Sequence, residues 1–187
     1  IDQLDVKTQR AQALSRIGVL SDARGLYPRL SARENILYYA RLHGMSDSDA
    51  NARTRWLASM LEMDSILDRR TEGFSQGERM KTALARALVH DPPNILLDEP
   101  TNGLDVLSTR RLRAALRRLR DEEGKCIVFS SHIMQEVERL CDHVVLISHG
   151  RTVAQGTLAE LAQKSGERDF EETFVKLAFT DAERTAP

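Results

Sequence analysis

The sequence predicts an α/β fold built around a mainly parallel β-sheet, and two observations carry this prediction. Three short apolar runs, Ile17–Leu20, residues 95–97 and Cys126–Phe129, each precede a helical segment. Each run is apolar throughout rather than alternating, which is typical of strands buried on both faces of a parallel sheet. We therefore expect three parallel strands with helices on both sides.

A later pair of β-rich runs predicts an antiparallel hairpin at the edge of the sheet. Val144–Ser148 and residues 152–155 are separated by His149-Gly150-Arg151, and a glycine-containing turn of this length is a hairpin signal. After it, apolar residues at helical spacing from Asp169 onward predict a C-terminal helix.

The helices have recognisable start signals. Ser31 and Glu34 form one capping box, and Ser75 and Glu78 form a second, so we expect helices to begin at both serines. A third helix is expected over residues 46–62. Residues 106–123 predict a basic amphipathic helix, but acidic residues follow its arginines and no aromatic residues interleave. A solvated helix face is therefore favoured over a nucleic-acid interface.

Composition sets further bounds. The chain has 187 residues, of which 41% are hydrophobic and 29% charged, with a net charge of −1. Such a balance gives no bulk attraction to nucleic acid or to an anionic membrane surface. No apolar run approaches the ~18 residues that a membrane span needs. Cys126 and Cys141 have no metal-ligand spacing, so we expect buried free thiols in a reducing compartment.

The strongest chemical signal is the pair of carboxylates, Asp98 and Glu99, that ends the second apolar run. The carboxyl edge of a parallel sheet is where ligands bind in such folds. In P-loop NTPases an Asp at this place holds the Mg²⁺ that bridges nucleotide phosphates. A second carboxylate beside it can polarise the attacking water. The alternative is an acidic strand end that merely caps the next helix.

Three further motifs accompany this pair: Gly103-Leu104-Asp105 directly after it, Ser75-Gln76-Gly77-Glu78 about 20 residues before it, and Ser131-His132 after the third run. Their order and spacing resemble the ATP-binding cassette (ABC) ATPase family, over roughly residues 17–156. The resemblance places a Walker B motif at residues 95–98, the catalytic glutamate at Glu99, a D-loop at residues 103–105, the signature at residues 74–78 and the switch histidine at His132.

The resemblance also implies the fold and the ligands: a P-loop NTPase (ABC cassette) core with a helical signature subdomain, binding ATP and Mg²⁺. It assigns catalytic roles to Glu99 and His132, metal binding to Asp98 and Asp22, and nucleotide binding to Asp22, Ser75, Gln76, Gly77, Glu78 and Asp105. Without the family, residues 75–78 would be only a capping box, His132 a loop histidine, and Asp105 a helix cap.

Two departures from the family pattern stand out. Gln76 and Glu78 replace the usual glycine and glutamine of the signature. Asp22 stands where the Q-loop usually has glutamine, and an aspartate there can still accept from water or bind Mg²⁺. The Ser21-Asp22 pair resembles the bacterial sodium-efflux (NatA-type) branch of exporters.

A P-loop, Gly-x-x-x-x-Gly-Lys-Ser/Thr, does not occur in the 187 residues, since the Gly124-Lys125 pair is followed by Cys126. In the family it lies about 40 residues before the Q-loop, so we expect it upstream of residue 1, with the N-terminal strands absent. The chain is then a partial cassette: a helical subdomain over about 30–90, a core over about 91–165 and a helical tail over 166–187. The parent protein is expected to hydrolyse ATP, and the chain by itself to be inactive.

The expected parent is the nucleotide-binding subunit of an ABC transporter, in which ATP hydrolysis drives transport, with export of sodium as the specific hypothesis. Its expected partners are transmembrane permease subunits and a second cassette, as a homodimer or a paralogous heterodimer, and no nucleic acid. We expect it in the cytoplasm, held at the inner face of the cell membrane by the permease. The alternatives are a degenerate regulatory cassette and a translation or repair ATPase; a P-loop in the upstream reading frame would argue against degeneracy.

Overall fold

The computed structural model describes residues 1–21 and 25–179. The chain divides into two compact units, Ile1–Ser130 and Ser131–Pro187. None of the helices in the described ranges combines the length and the hydrophobicity needed to cross a bilayer. The division into helical subdomain, core and tail remains a prediction.

The first unit contains, in chain order, α1 (Arg10–Ser15), β1 (Ile17–Leu20), α2 (Ala32–Leu42), α3 (Asp47–Met60), a 3-10 helix (Asp64–Ile66), α4 (Gln76–Leu88), β2 (Asn94–Leu97), α5 (Val106–Asp121) and β3 (Cys126–Phe129). The second unit contains α6 (Met134–Leu140), β4 (Val144–Ser148), β5 (Arg151–Gly156), α7 (Leu158–Ser165) and α8 (Phe170–Ala178). Apart from α1, α6, α7 and the 3-10 helix, these elements lie close to the predicted ones, and the α/β fold class is confirmed.

The sheet of the first unit is parallel, as predicted, with strand order β1-β2-β3. The register pairs Leu20 with Leu97 and Leu97 with Phe129, so the three strands end level with one another. Because the carboxyl ends coincide, the residues that follow the strands meet at one edge. This alignment brings Ser21, Asp98 and Ser130 to adjacent strand ends.

Only one face of this sheet is buried, which corrects the prediction of burial on both faces. Ile95 and Leu97 are buried, and Gly18 lies so close to α4 that a Cβ there would sit 2.4 Å from the carbonyl oxygen of Ala87. On the opposite face Val19 is 50% exposed and Val128 is 58% exposed. Helix α4 packs against the first face at Gly18. The apolar pattern of the strands thus predicts more burial than the described residues provide.

The cysteine prediction is also wrong in part. Cys126 is exposed, because it begins β3 at the edge of the sheet, whereas Cys141 is half-buried. Burial raises the pKa of the Cys141 thiol to about 11, with a smaller contribution from neighbouring Asp142. Both thiols are free in the structure, as expected.

In the second unit β4 and β5 form the predicted antiparallel hairpin, but as a separate two-stranded sheet rather than as the edge of the parallel sheet. The turn is His149-Gly150, and both residues have positive φ angles, 48° and 73°. A type I′ turn requires this conformation at both positions, and it matches the twist of the flanking strands. The core of the unit packs the hairpin against the helices through buried Val137, Val144, Leu146, Leu161 and Phe170.

Candidate functional site

The two candidate carboxylates directly follow β2 in different environments. Asp98 is exposed and Glu99 is half-buried. The Asp98 amide donates to the carbonyl of Leu20 at 2.8 Å, so the sheet ladder continues to this residue. Glu99 has a φ of 45°, in the left-handed region that non-glycine residues rarely adopt. Such a conformation persists when the surroundings hold it, and it turns the chain sharply out of the sheet.

Ser130 helps to stabilise this backbone conformation of Glu99. Its hydroxyl donates to Asp98 Oδ1 at 2.7 Å and accepts from the Glu99 amide at 2.9 Å. Its own amide donates to the carbonyl of Leu97 at 3.0 Å. One serine on the neighbouring strand therefore orients the first carboxylate and fixes the backbone of the second. Ser130 was not among the residues predicted from the sequence, although a polar residue directly after a parallel strand is a signal that could have indicated it.

The strand ends line an open depression with a volume of about 180 Å³ at this edge of the sheet. Its floor is apolar, and the oxygen-bearing side chains of Ser21, Asp98 and Ser130 line it. Within the described residues no group of three or more His, Cys, Asp or Glu side chains is arranged to hold a metal ion. The depression therefore offers oxygen donors rather than a complete metal cage.

The loop after Glu99 is a compact turn that leads into α5. The Asn102 amide donates to the carbonyl of Glu99 at 3.0 Å, and Gly103 takes a φ of 69°. Asp105 then caps α5, accepting from the Ser108 amide at 2.9 Å and from its hydroxyl at 2.7 Å. The hydrogen bond from the Ser108 amide lowers the pKa of Asp105, with help from the Ser108 hydroxyl. The capping role of Asp105 is confirmed, and its nucleotide role stays a prediction.

Ser75 begins α4 with the predicted capping box. Its hydroxyl accepts from the Glu78 amide at 3.2 Å, and the Glu78 carboxylate accepts from the Ser75 amide at 2.8 Å. Arg69 adds an ion pair to Glu78 at 2.9 Å. Burial acts to raise the pKa of Glu78, but the Ser75 hydrogen bonds and Arg69 outweigh it, so this pKa lies below its ordinary value. The helix start is thus rigid, with backbone donors and a favourable dipole for an anion.

The two residues after Ser75 contact the turn after Glu99. The Gln76 side-chain amide donates to the carbonyl of Asn102 at 2.9 Å. Gly77 faces α5, where an added Cβ would lie 2.9 Å from the Ser108 hydroxyl. The structure therefore joins the candidate signature to the candidate D-loop within one unit, a contact that sequence spacing did not reveal.

Two candidates from the sequence remain, His132 and Asp22. His132 belongs to the second unit, where it is exposed just before α6. Asp22 lies outside the described residues, so its predicted roles at the nucleotide and at the metal remain predictions.

Comparison with known proteins identifies the family of this chain. The sequence model described as "ABC transporter" matches residues 1–102. The chain is 42% identical over 176 residues to the ABC transporter ATP-binding protein NatA of Bacillus subtilis, covering 94% of this chain and 71% of that protein. It is 38% identical over 155 residues to the Nod factor export ATP-binding protein I of Burkholderia lata, covering 81% of this chain and 49% of that protein.

Two solved structures of ATP-binding cassettes are also similar to this chain. An ATP-binding subunit of an ABC transporter superposes with a TM-score of 0.81 at 26% identity, covering 95% of this chain and 74% of that one. A dimeric ATP-binding cassette in a post-hydrolysis state, bound to ADP and Pi, superposes with a TM-score of 0.71 at 25% identity over 84% of this chain and 69% of that one. The chain thus spans from about half to about three-quarters of these relatives. It belongs to the ABC transporter family.

Proposed function

We propose that this chain carries the catalytic carboxylates and the signature of an ATPase subunit that drives export through a membrane permease. The observation that carries the proposal is the strand end at Asp98 and Glu99, where Ser130 orients one carboxylate and the backbone of the other. We call this chain joined to a P-loop segment the complete ATPase.

Glu99 is suited to the role of general base. Its backbone leaves the sheet in a left-handed conformation that is pinned at its amide by Ser130 and at its carbonyl by Asn102. A carboxylate with a fixed backbone can accept the proton of an attacking water as that water displaces ADP from the γ-phosphate of ATP and inorganic phosphate forms. His132 is proposed to contact the same phosphate, as the family resemblance implies.

Mg²⁺ fits the oxygen donors at this edge of the sheet. It usually binds through one or two carboxylates, waters and substrate phosphates rather than through a complete protein cage. Asp98 is the candidate ligand here, with Asp22 as a second, and the bound ion would neutralise charge on the phosphates. Ser130 keeps the Asp98 carboxylate aligned for this role.

The helix start at Ser75 is proposed to bind the γ-phosphate of an ATP held by a second cassette. Backbone amides at the start of α4 and the Ser75 hydroxyl supply donors, while Gly77 lets this helix start pack closely against Ser108 of α5. The dimeric state of one structural relative supports pairing of two cassettes. Residues around 25–30 would face transmembrane permease subunits, which hold the protein at the inner face of the membrane and select the cargo.

The test of this proposal is Glu99→Gln in the complete ATPase. Loss of the base should lower the turnover of ATP by about 10²- to 10⁴-fold while ATP binding is retained. Glu123→Gln is the matched control, because it makes the same chemical change at an exposed carboxylate after α5 and should leave turnover unchanged. Turnover of Glu99→Gln within a few-fold of the unaltered enzyme would refute the proposal.

A further inference from the structure

We propose that Gln76 is a positioning residue that fixes the start of α4 against the turn following Glu99. The inference rests on the proposed function, and it deepens that function by giving a role to a side chain where the family pattern has glycine. Glycine has no side chain to make this contact. Gln76 therefore adds a link between the phosphate-facing helix start and the catalytic strand end.

The contact made by Gln76 starts from a fixed part of the backbone, the first turn of α4. Gln76 is the first residue of α4, directly after Ser75, whose capping box fixes the helix start. Its side chain spans to the carbonyl of Asn102, 26 residues along the chain, at a donor–acceptor distance of 2.9 Å. Its backbone amide, at the first helical position, belongs to the donors that have no intrahelical partner. The backbone thus stays suited to an anion while the side chain holds the turn.

The turn is shaped around this side chain. A Cβ on Gly103 would lie 2.4 Å from Gln76 Nε2 and 2.9 Å from its Oε1, so the glycine backbone packs directly on the amide group. The next residue makes a second contact: Gly77 packs against the hydroxyl of Ser108, and this hydroxyl donates to Asp105. Two successive signature residues therefore contact the turn and the helix that follows it.

The turn connects directly to the catalytic residue. Asn102 accepts from Gln76 through its carbonyl and donates to the carbonyl of Glu99 through its amide. Asn102 thus connects the start of α4 to the strained backbone of Glu99 through two hydrogen bonds. A solvent-exposed hydrogen bond adds little to overall stability, so we expect its loss to affect catalytic geometry more than folding. Small misplacements of reacting groups can cost up to about 100-fold in rate.

The first test follows the turn itself by hydrogen exchange in the unliganded 187-residue chain. Gln76→Ala should speed amide exchange across residues 100–105 and leave exchange in α7 unchanged. Gln76→Glu should do the same, because a carboxylate cannot donate to the Asn102 carbonyl, although an acidic residue at this helix position favours α4. Unchanged exchange across residues 100–105 in both variants would overturn the proposal without bearing on ATP hydrolysis.

The second test is a double-mutant cycle in the complete ATPase. Gln76→Ala should lower kcat about tenfold with little change in KM, because positioning rather than binding is lost. Gly103→Ala displaces the same amide and strains a backbone with positive φ, so it should lower kcat at least as much. The double variant should then be no slower than Gly103→Ala alone.

The outcomes of the cycle separate the possibilities. If kcat of the double variant falls by the product of the two single losses, Gln76 acts independently of the turn, and the proposal is overturned. A rise in KM with unchanged kcat would mean that the side chain serves binding instead, which overturns it as well. Faster exchange across residues 100–105, with no hydrolysis by the unaltered complete ATPase, would support the link to the turn and contradict the proposed function.

Discussion

Ser75 and Ser31 carry the same helix-start geometry, which allows function at one to be separated from stability at both. Each accepts from the amide of a glutamate three residues later, and each glutamate accepts in return from the serine amide. Replacing such a cap by alanine costs typically ~1 kcal/mol. In a domain of this size that corresponds to a drop of about 2–4 °C in Tm. Ser31→Ala and Ser75→Ala should therefore destabilise the complete ATPase about equally.

Their effects on activity should differ. The Ser75 hydroxyl is proposed to donate to phosphate, and a hydrogen bond to a charged group contributes about 1.5–3 kcal/mol. Since ~1.4 kcal/mol corresponds to a factor of ten, Ser75→Ala should lower ATPase activity about 10- to 100-fold. Ser31→Ala should stay near normal once activity is measured per folded molecule. Thermal unfolding followed by circular dichroism, beside a phosphate-release assay, measures both quantities. Equal activity in the two variants would refute the assignment of Ser75.

Two further predictions concern ligand binding and pH. The 187-residue chain itself should bind Mg-ATP negligibly and hydrolyse none, because its sequence contains no P-loop and the Asp98–Glu99 pair repels a free polyanion; micromolar affinity in calorimetry would contradict this. Burial first, and then the stacked His43 ring at 3.6 Å, lowers the pKa of His90 to about 4, against about 6.5 when unfolded. The unfolded state therefore takes up the proton first, so stability should be full above about pH 6.5 and fall toward pH 4, by about 1–3 kcal/mol because the ring is partly exposed. His90→Gln should flatten this slope of unfolding free energy, and an unchanged slope would exclude His90 as its source.

Local signals predicted much of the fold. The capping boxes at Ser31 and Ser75 depend on residues three positions apart, so the sequence contains both partners. The strands and the hairpin followed from short apolar runs and a glycine turn in the same way. The order of motifs around Asp98 and Glu99 was specific enough to indicate the family, which the comparisons confirm.

The contacts that tertiary structure creates could not be predicted in this way. Ser130 binds Asp98 across 32 residues and Gln76 binds Asn102 across 26, and neither distance is encoded in spacing. The burial of the sheet was overestimated for a related reason. A strand that is apolar throughout predicts burial of both faces, but its sequence does not identify the element that covers each face. Val19 and Val128 are exposed in the structure.

The proposed arrangement places ATP hydrolysis between Glu99 of one copy and Ser75 of another. It is tested most directly by mixing two inactive variants of the complete ATPase, Glu99→Gln and Ser75→Arg. If the two residues act across the interface, each mixed dimer has one site with both defects and one intact site, so mixing should restore about a quarter of the normal activity. If both residues act within one copy, every site keeps one defect. A mixture no more active than its two components would contradict hydrolysis across the interface.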